Sequence, residues 1–519
     1  MRPLKHCLLL MLALAIPTWM AAASYYISPT GNDSDDGKDE YFPFATLGAA
    51  LKVVAPGDTV YILPGTYLVS ETEITKEESS GPYKIVYDLS KSGEQGKPIC
   101  LIGVADEQTG QRPVFDLSAV RPAYRVTAFL VSGQFWVLKN FEVVGVQVNR
   151  TDHTQSENIR VTNGSYNTFE NIACHDGMGI GFYLTKNASH NLFINCDGYN
   201  NYDPIGGSDV GDTNGGNNDG FGCHVNAGMS DNVFIGCRAW NNSDDGYDLI
   251  NCFSPVAILY SIAYRNGYDA ENTGRGDGNG FKAGGYGMSG SVTLPAEGAP
   301  MHQVDYCIAS SNRTNGFYTN HHLGGVRFYR NTAYRNNRFN YSFVNRKGRT
   351  KEDTVDVNGY GHMIFNNLSM VANGKDNHVT DLNGGDGQNN LQENSFYWVN
   401  KNNGGWAYED YGISIFENVR VADLMLKRKA DGMLSDSTLA VFRQKTYIGM
   451  GCTFKDYEKT IAELRTTTGA ETEHVPTAIQ VIKTDAQKGD DALYDLQGRR
   501  VAVPRKGIYI RNGKKIIIR

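Results

Sequence analysis

From about residue 135 to 373 the apolar residues fall in short runs of four to six, rich in Val, Ile, Phe and Tyr, separated by turns that carry Asn and Gly. Such runs are too short and too β-branched for paired helices and predict strands. The segments Ala239 to Asn242, Ala263 to Asn266, Ala309 to Asn312 and Ala333 to Asn336 share the form Ala-x-x-Asn, with weaker copies at 173–176 and 198–201. Their asparagines are spaced by 24, 46 and 24 residues, and the middle value is close to two units of the shorter one. A period in the low twenties built from short β runs predicts a solenoid. Three runs per coil fit a parallel β-helix, and the hand of parallel connections makes it right-handed. An Asn at a turn bonds nearby backbone and tolerates left-handed geometry, and stacked amides form a ladder. Asn242, Asn266, Asn312 and Asn336 are therefore expected to be scaffold.

The flanks read differently. Tyr25 to Ser28 and Thr59 to Leu63 predict strands around an apolar-periodic helix over Phe44 to Ala55, which would cover the open edge of the stack. After about residue 405 the repeat fades. Val421 to Lys429 and Tyr457 to Thr466 look helical, and 475–519 reads as a small β module with strands near 492–496, 507–510 and 515–518. That tail resembles the C-terminal modules of secreted bacterial proteins, which implies sorting or attachment. The expected organisation is all-β: residues 24–405 a β-helix with an N-terminal capping helix, 406–474 a helical or irregular extension, and 475–519 the β tail. Residues 1–23 read as an export signal, with Arg2, Lys5 and His6 before an apolar run and Ala21 to Ala23 at the cleavage site. The run is too short to span a bilayer comfortably. A secreted protein without a transmembrane segment is expected, and a monomer.

Composition narrows the partners. A net charge of −7 argues against a general nucleic-acid binder, which needs a basic surface to displace counterions. Eight cysteines follow the leader, with no CxxC pair. Cys174, Cys196, Cys237 and Cys307 lie inside the apolar runs, so free buried thiols are expected.

The chemistry sits in a second repeated phrase: Asp219-Gly220-Phe221, Asp245-Gly246-Tyr247, Asn279-Gly280-Phe281 and Asn315-Gly316-Phe317, followed by Gly222, Asp248, Lys282 and Tyr318. Polar insertions at 203–217, 268–278 and 285–300 lie beside it, as loops on a rigid scaffold that could wall a cleft. If each phrase is one coil, neighbouring rungs about 4.8 Å apart gather Asp219, Asp244, Asp245 and Asp248. One Asp-Gly is an ordinary turn; this many carboxylates together call for a cation, and calcium suits an all-oxygen cage. Lys282 falls in the Asp248 column one rung on. It is either a salt-bridge partner or, beside a divalent cation that disfavours the ammonium, a general base. Base plus calcium suits removal of a proton α to a carboxylate, as at C5 of a uronic acid. A glycoside hydrolase using Asp244 and Asp245 as its pair, or a glycan-binding β-helix without catalysis, are the competing readings. Arg313 could face a substrate carboxylate and Tyr318 could stack on a sugar; a solvated turn and plain packing are the alternatives.

The segments Asn218 to Phe221, Ser243 to Asp248 and Gly278 to Gly285 resemble polysaccharide lyase family 9, over roughly residues 24–400. The resemblance implies a right-handed parallel β-helix and a calcium-dependent pectate or rhamnogalacturonan lyase acting on an acidic pectic polysaccharide. It implies Asp244, Asp245 and Asp248 as calcium ligands with Asp219 from the coil before, and Lys282 as the Brønsted base. The insertion at 203–217 leaves the Asp219 register open to a shift.

Overall fold

The computed structural model describes residues 22–78, 83–149, 155–205, 215–286, 294–295, 298–348, 353–372 and 377–382, stretches within 390–397, 416, 428–434 and 450–468, and a hairpin within 507–518. Three sheets of 12, 11 and 11 strands run along the chain. The first begins with Ser24–Ile27 paired to Thr59–Ile62, the second with Thr66–Leu68, and the third with Lys76–Glu78 paired to Tyr83–Leu89. From Ile99 to Thr380 each coil contributes one strand to each sheet. Pairing is parallel throughout these sheets except at the first pair of the third, where Lys76–Glu78 is antiparallel to Tyr83–Leu89. This is the expected β-helix.

Coiling starts at residue 24, well before the Asn repeat becomes visible. The early coils are held by a different core: Phe115, Phe129 and Phe141 are fully buried, with Phe115 and Phe129 ring centroids 5.4 Å apart and Phe129 and Phe141 5.5 Å apart. Rings pack irregularly there and leave no fixed sequence period. In the later coils they stack in register: Phe182, Phe221, Tyr247, Phe281, Phe317 and Tyr341 follow one another at 4.7–5.0 Å.

The Asn ladder forms as expected. Asn242 donates from Nδ2 to Asn266 Oδ1 at 3.1 Å, Asn266 to Asn312 at 3.0 Å and Asn312 to Asn336 at 2.9 Å. The 46-residue interval is one coil, not two. Ala263 pairs directly with Ala309, so the residues inserted between them add no rung. A second ladder, Asn167 to Asn191 to Asn232, runs at another corner.

At the N-terminal end, helix α1 (Leu47–Val53) is capped by Thr46, whose hydroxyl accepts the Ala49 N–H at 3.2 Å. It is shorter than the sequence suggests, because Val54 already has extended ψ ahead of Pro56. Leu47 and Ala50 enter the main core. Helix α2 (Tyr457–Thr468) lies on the outside of the first sheet. Tyr457, Ile461 and Leu464 bury Ile194, Ile235 and Leu259 in a second apolar cluster. Arg428 reaches the buried Asp197 beside Arg238, joining the C-terminal extension to the barrel wall. The segment 507–518 is an antiparallel hairpin, Gly507–Arg511 with Lys514–Ile518. Residues 1–21 and the expected elements at 421–427 and 492–496 lie outside the described residues.

The eight cysteines from Cys100 to Cys452 are free. Cys174, Cys196, Cys223, Cys237, Cys252 and Cys307 are buried. No helix is long and apolar enough to cross a membrane among the described residues.

Candidate metal centre and base

The third sheet carries the site because its register is unbroken where the sequence has insertions. Phe221 pairs with Tyr247 and Gly222 with Asp248; Asp248 pairs with Lys282, and Lys282 with Tyr318. The insertion at 203–217 does not displace Asp219, since its Oδ1 accepts the Asp245 N–H at 3.0 Å.

The first column of the phrase is itself a short ladder. Asn315 Nδ2 donates to Asn279 Oδ1 at 2.8 Å, and Asn279 Nδ2 donates to Asp245 Oδ1 at 2.9 Å. The Asn279 backbone N–H gives the same oxygen a second bond at 2.6 Å. Where the ladder changes from Asn to Asp the donors end. Asp245 Oδ1 is fully engaged, while its buried Oδ2 is faced by the Lys282 amine at 3.1 Å. One oxygen from each of Asp219, Asp244 and Asp245 lies within 4.8 Å of the others. Asp244 is fixed from both sides, its Oδ2 accepting the Asn217 N–H at 2.7 Å and its Oδ1 the Asp277 N–H at 2.5 Å. Asp248 Oδ1 accepts the Ile250 N–H at 2.7 Å and stands one step along the strand from Tyr247.

This donor set fits a hard divalent cation. It offers only oxygens, it is buried, and its several carboxylates face the single ammonium of Lys282, so negative charge is left uncompensated unless a cation joins them. The protein's own field agrees. Burial, then the charges of Asp244, Asp248 and Asp245, holds the Asp219 carboxyl well above the usual range. Asp245 is raised by burial and its acidic neighbours against the opposing pull of Lys282, and Asp244 by burial and Asp277.

Lys282 is 7% exposed. Its Nζ lies 3.1 Å from Asp245 Oδ2, 3.2 Å from Asp248 Oδ2 and 3.2 Å from Asp277 Oδ2. Burial works to lower the amine, but Asp248, Asp245, Asp277 and Asp244 outweigh it, so the ammonium is held well above its ordinary range. The sequence expectation of a lowered lysine counted burial and a cation but not these carboxylates.

Asp277 is the residue that sequence reasoning missed. It closes the 268–278 insertion, and its side chain is 66% exposed, unlike the other carboxylates on Lys282. The insertion is tied down by Arg275 on Asp269 at 2.9 Å, by Thr314 Oγ1 on the Asp277 carbonyl, and by Arg313, whose Nη1 donates to Gly276 O at 2.8 Å. The signal was its place two residues before Asn279, hidden because it belongs to no column. Arg313 therefore sits next to the site as a brace of that loop. Tyr318, one rung beyond Lys282, is half-buried, its hydroxyl pushed up to about 12 by burial.

Carboxylates on neighbouring coils and a lysine on the next rung thus stand together on one face of a parallel β-helix. The chain belongs to the Pel9A-like right-handed β-helix family, whose model matches residues 25–358. It is 35% identical over 355 residues to pectate lyase L of Dickeya dadantii, an alignment covering 67% of this chain and 71% of that one. Among solved structures it is similar to a rhamnogalacturonan lyase, with TM-score 0.74, 41% identity and coverage of 83% of this chain and all of that chain. It is also similar to pectate lyase Pel9A, with TM-score 0.59, 30% identity and coverage of 82% of this chain and 90% of that one.

Proposed function

We propose that the protein is a secreted, calcium-dependent lyase that cleaves a galacturonate-containing pectic backbone by β-elimination, with Lys282 as the base. The observation that carries this reading is the pairing of Asp248 with Lys282 beside the buried Asp219, Asp244 and Asp245, whose oxygens lie within 4.8 Å of one another. Asp219, Asp244, Asp245 and Asp248 would hold the ion. When bound, calcium offsets the charge of the carboxylate cluster, grips a substrate carboxylate and acidifies the proton next to it. Lys282 then takes the C5 proton of the galacturonate. The C5–H electron pair becomes the C4–C5 double bond, the C4–O4 bond breaks, and the departing oxygen takes a proton from water. Lys282 must be neutral to act, and its carboxylate partners favour the charged form, so activity is expected to rise from neutral into alkaline pH.

The relatives are named for two polymers, pectate and rhamnogalacturonan, and the structural neighbour with the higher identity is the rhamnogalacturonan lyase. That higher identity supports reading the rhamnose–galacturonate backbone as the substrate. Incubating the protein with each purified polymer, with calcium or with a chelator, tests the reading. An ultraviolet-absorbing unsaturated uronate should appear with calcium and vanish on chelation. Cleavage without that absorbance would make the protein a hydrolase, and binding without cleavage a glycan-binding β-helix.

A further inference from the structure

Elimination at a galacturonate needs a base at C5 and a proton for O4 as it departs. H5 and O4 of that sugar stand on opposite faces of the ring, so the proton donor must meet the ring across from the base. The Lys282 amine is drawn toward the rung before its own, 3.1 Å from Asp245 Oδ2 and 3.2 Å from Asp248 Oδ2. Tyr318 stands on the rung after, paired directly with Lys282 in the third sheet. The Asp248 and Tyr318 rungs are two steps, about 10 Å, apart, which leaves room for one pyranose ring between the amine and the phenol.

Tyr318 ends the strand Asn315–Tyr318 and is half-buried. Its ring is set edge-on to His321, at 74° with centroids 6.3 Å apart, and His321 is itself held by Asp356 Oδ1, 2.9 Å from its Nε2. The ring is thus propped in place, while its hydroxyl has no hydrogen-bond partner among the described residues. The charges that act on that hydroxyl are those of Lys282, Asp277, Asp356 and Arg338, so it faces the same opening as the amine. Burial, against the pull of Lys282, pushes it up to about 12, and it keeps its proton at the alkaline pH where the amine acts.

The other polar groups around the opening cannot serve. Asp277 accepts only, Thr314 Oγ1 donates to the Asp277 carbonyl, and Arg313 donates to Gly276 O. Arg338, its guanidinium 5.5 Å from the Phe339 ring, does not give up a proton. Resting on the lyase reading above, we propose that Tyr318 is the acid of the elimination, the group through which a water proton reaches O4. The C5–H bond breaks to the Lys282 nitrogen and its electron pair becomes the C4–C5 double bond. The C4–O4 pair leaves on O4, which takes the phenol proton, and the phenolate regains a proton from water.

The test compares wild type and Tyr318→Phe in heavy water with calcium, on rhamnogalacturonan and on polygalacturonate. It follows both release of unsaturated uronate and deuterium at C5 of the galacturonate left uncleaved. Phe keeps the ring, so a stacking role is preserved. Loss of the acid should lower kcat by about 10²-fold with KM little changed. Lys282 still removes the C5 proton in this variant, but the carbanion returns instead of expelling O4, so the uncleaved polymer should gain deuterium faster than it does with the wild type. An unchanged kcat, a loss carried by KM, or a lower kcat without that labelling overturns the assignment. If Tyr318→Phe does not fold, fluorotyrosine placed at 318 decides alone. It keeps the shape and makes the hydroxyl more acidic, so the alkaline fall of kcat should move to lower pH, and an unmoved fall overturns the proposal. Any of these failures with a wild type that cleaves leaves the lysine and metal reading standing. A wild type that cleaves neither polymer overturns both.

Discussion

Single side chains at this site are legible in sequence where they repeat and opaque where they do not. Asp219, Asp245 and Lys282 fall in columns because the phrase around them recurs, so their neighbours could be read by counting rungs. Asp277 belongs to an insertion, and nothing in its spacing says that the loop folds back to set a third carboxylate 3.2 Å from Lys282. Its position suggests that it orients the amine when a cation engages Asp245 and Asp248. Asp277→Asn keeps the backbone N–H on Asp244 and removes the charge from Lys282. Steady-state kinetics should show kcat falling about tenfold, the scale of one charge-assisted hydrogen bond, with KM and calcium dependence little changed. An unchanged kcat would leave Asp277 as loop structure only.

At the scale of elements, the Asn ladder was legible because a buried amide must be satisfied and a stack offers only the amides above and below. Asn266 donates from Nδ2 to Ala239 O at 3.1 Å and to Asn312 Oδ1 at 3.0 Å, and its Oδ1 accepts from Asn242. Asn266→Ala leaves both ladder neighbours short of a partner. A stability loss of about 2–4 kcal/mol should follow, read as a lowered denaturation midpoint, because more than one buried polar group becomes unsatisfied. The 46-residue coil misled the count for the opposite reason: an insertion that leaves the sheet adds length without adding a rung. The placement of α2 was not readable either. Its helical character is local, but the face it covers is set by contacts more than two hundred residues distant, such as Tyr457 with Asn195 and Arg465 with Glu170, and the extension before it is tied on by Arg428 with Asp197. Burial pushes the Asp197 carboxyl up, and Arg238 with Arg428 outweighs it, holding the group well below its usual range. A lowered folded pKa contributes stability that is fully present above the unfolded carboxylate range and is lost as pH falls below that range through the lowered folded value. Arg428→Met should therefore weaken the fold at neutral pH, and the difference from wild type should shrink on acidification, as thermal melts at successive pH values would record.

For the whole molecule, one column of the solenoid changes from amides to carboxylates, and that change turns a scaffold into a site. The repeat was readable only from residue 135 onward, since the first coils are stabilised by irregular aromatic packing; the expected start at 24 rested on the strands near Tyr25 and Thr59 and on the family resemblance. Without a cation the carboxyl cluster is held away from ionisation, so ion binding should stabilise the fold. At calcium one hundred times its dissociation constant the gain is about 2.7 kcal/mol, and the melting temperature should rise by a few degrees and fall again on chelation. The most direct measurement takes Lys282→Ala in saturating calcium and follows unsaturated uronate release from rhamnogalacturonan, with calcium affinity measured alongside. Loss of a general base predicts a rate lower by about 10²–10⁴-fold while calcium still binds. A variant that binds calcium and cleaves at the wild-type rate would contradict the account.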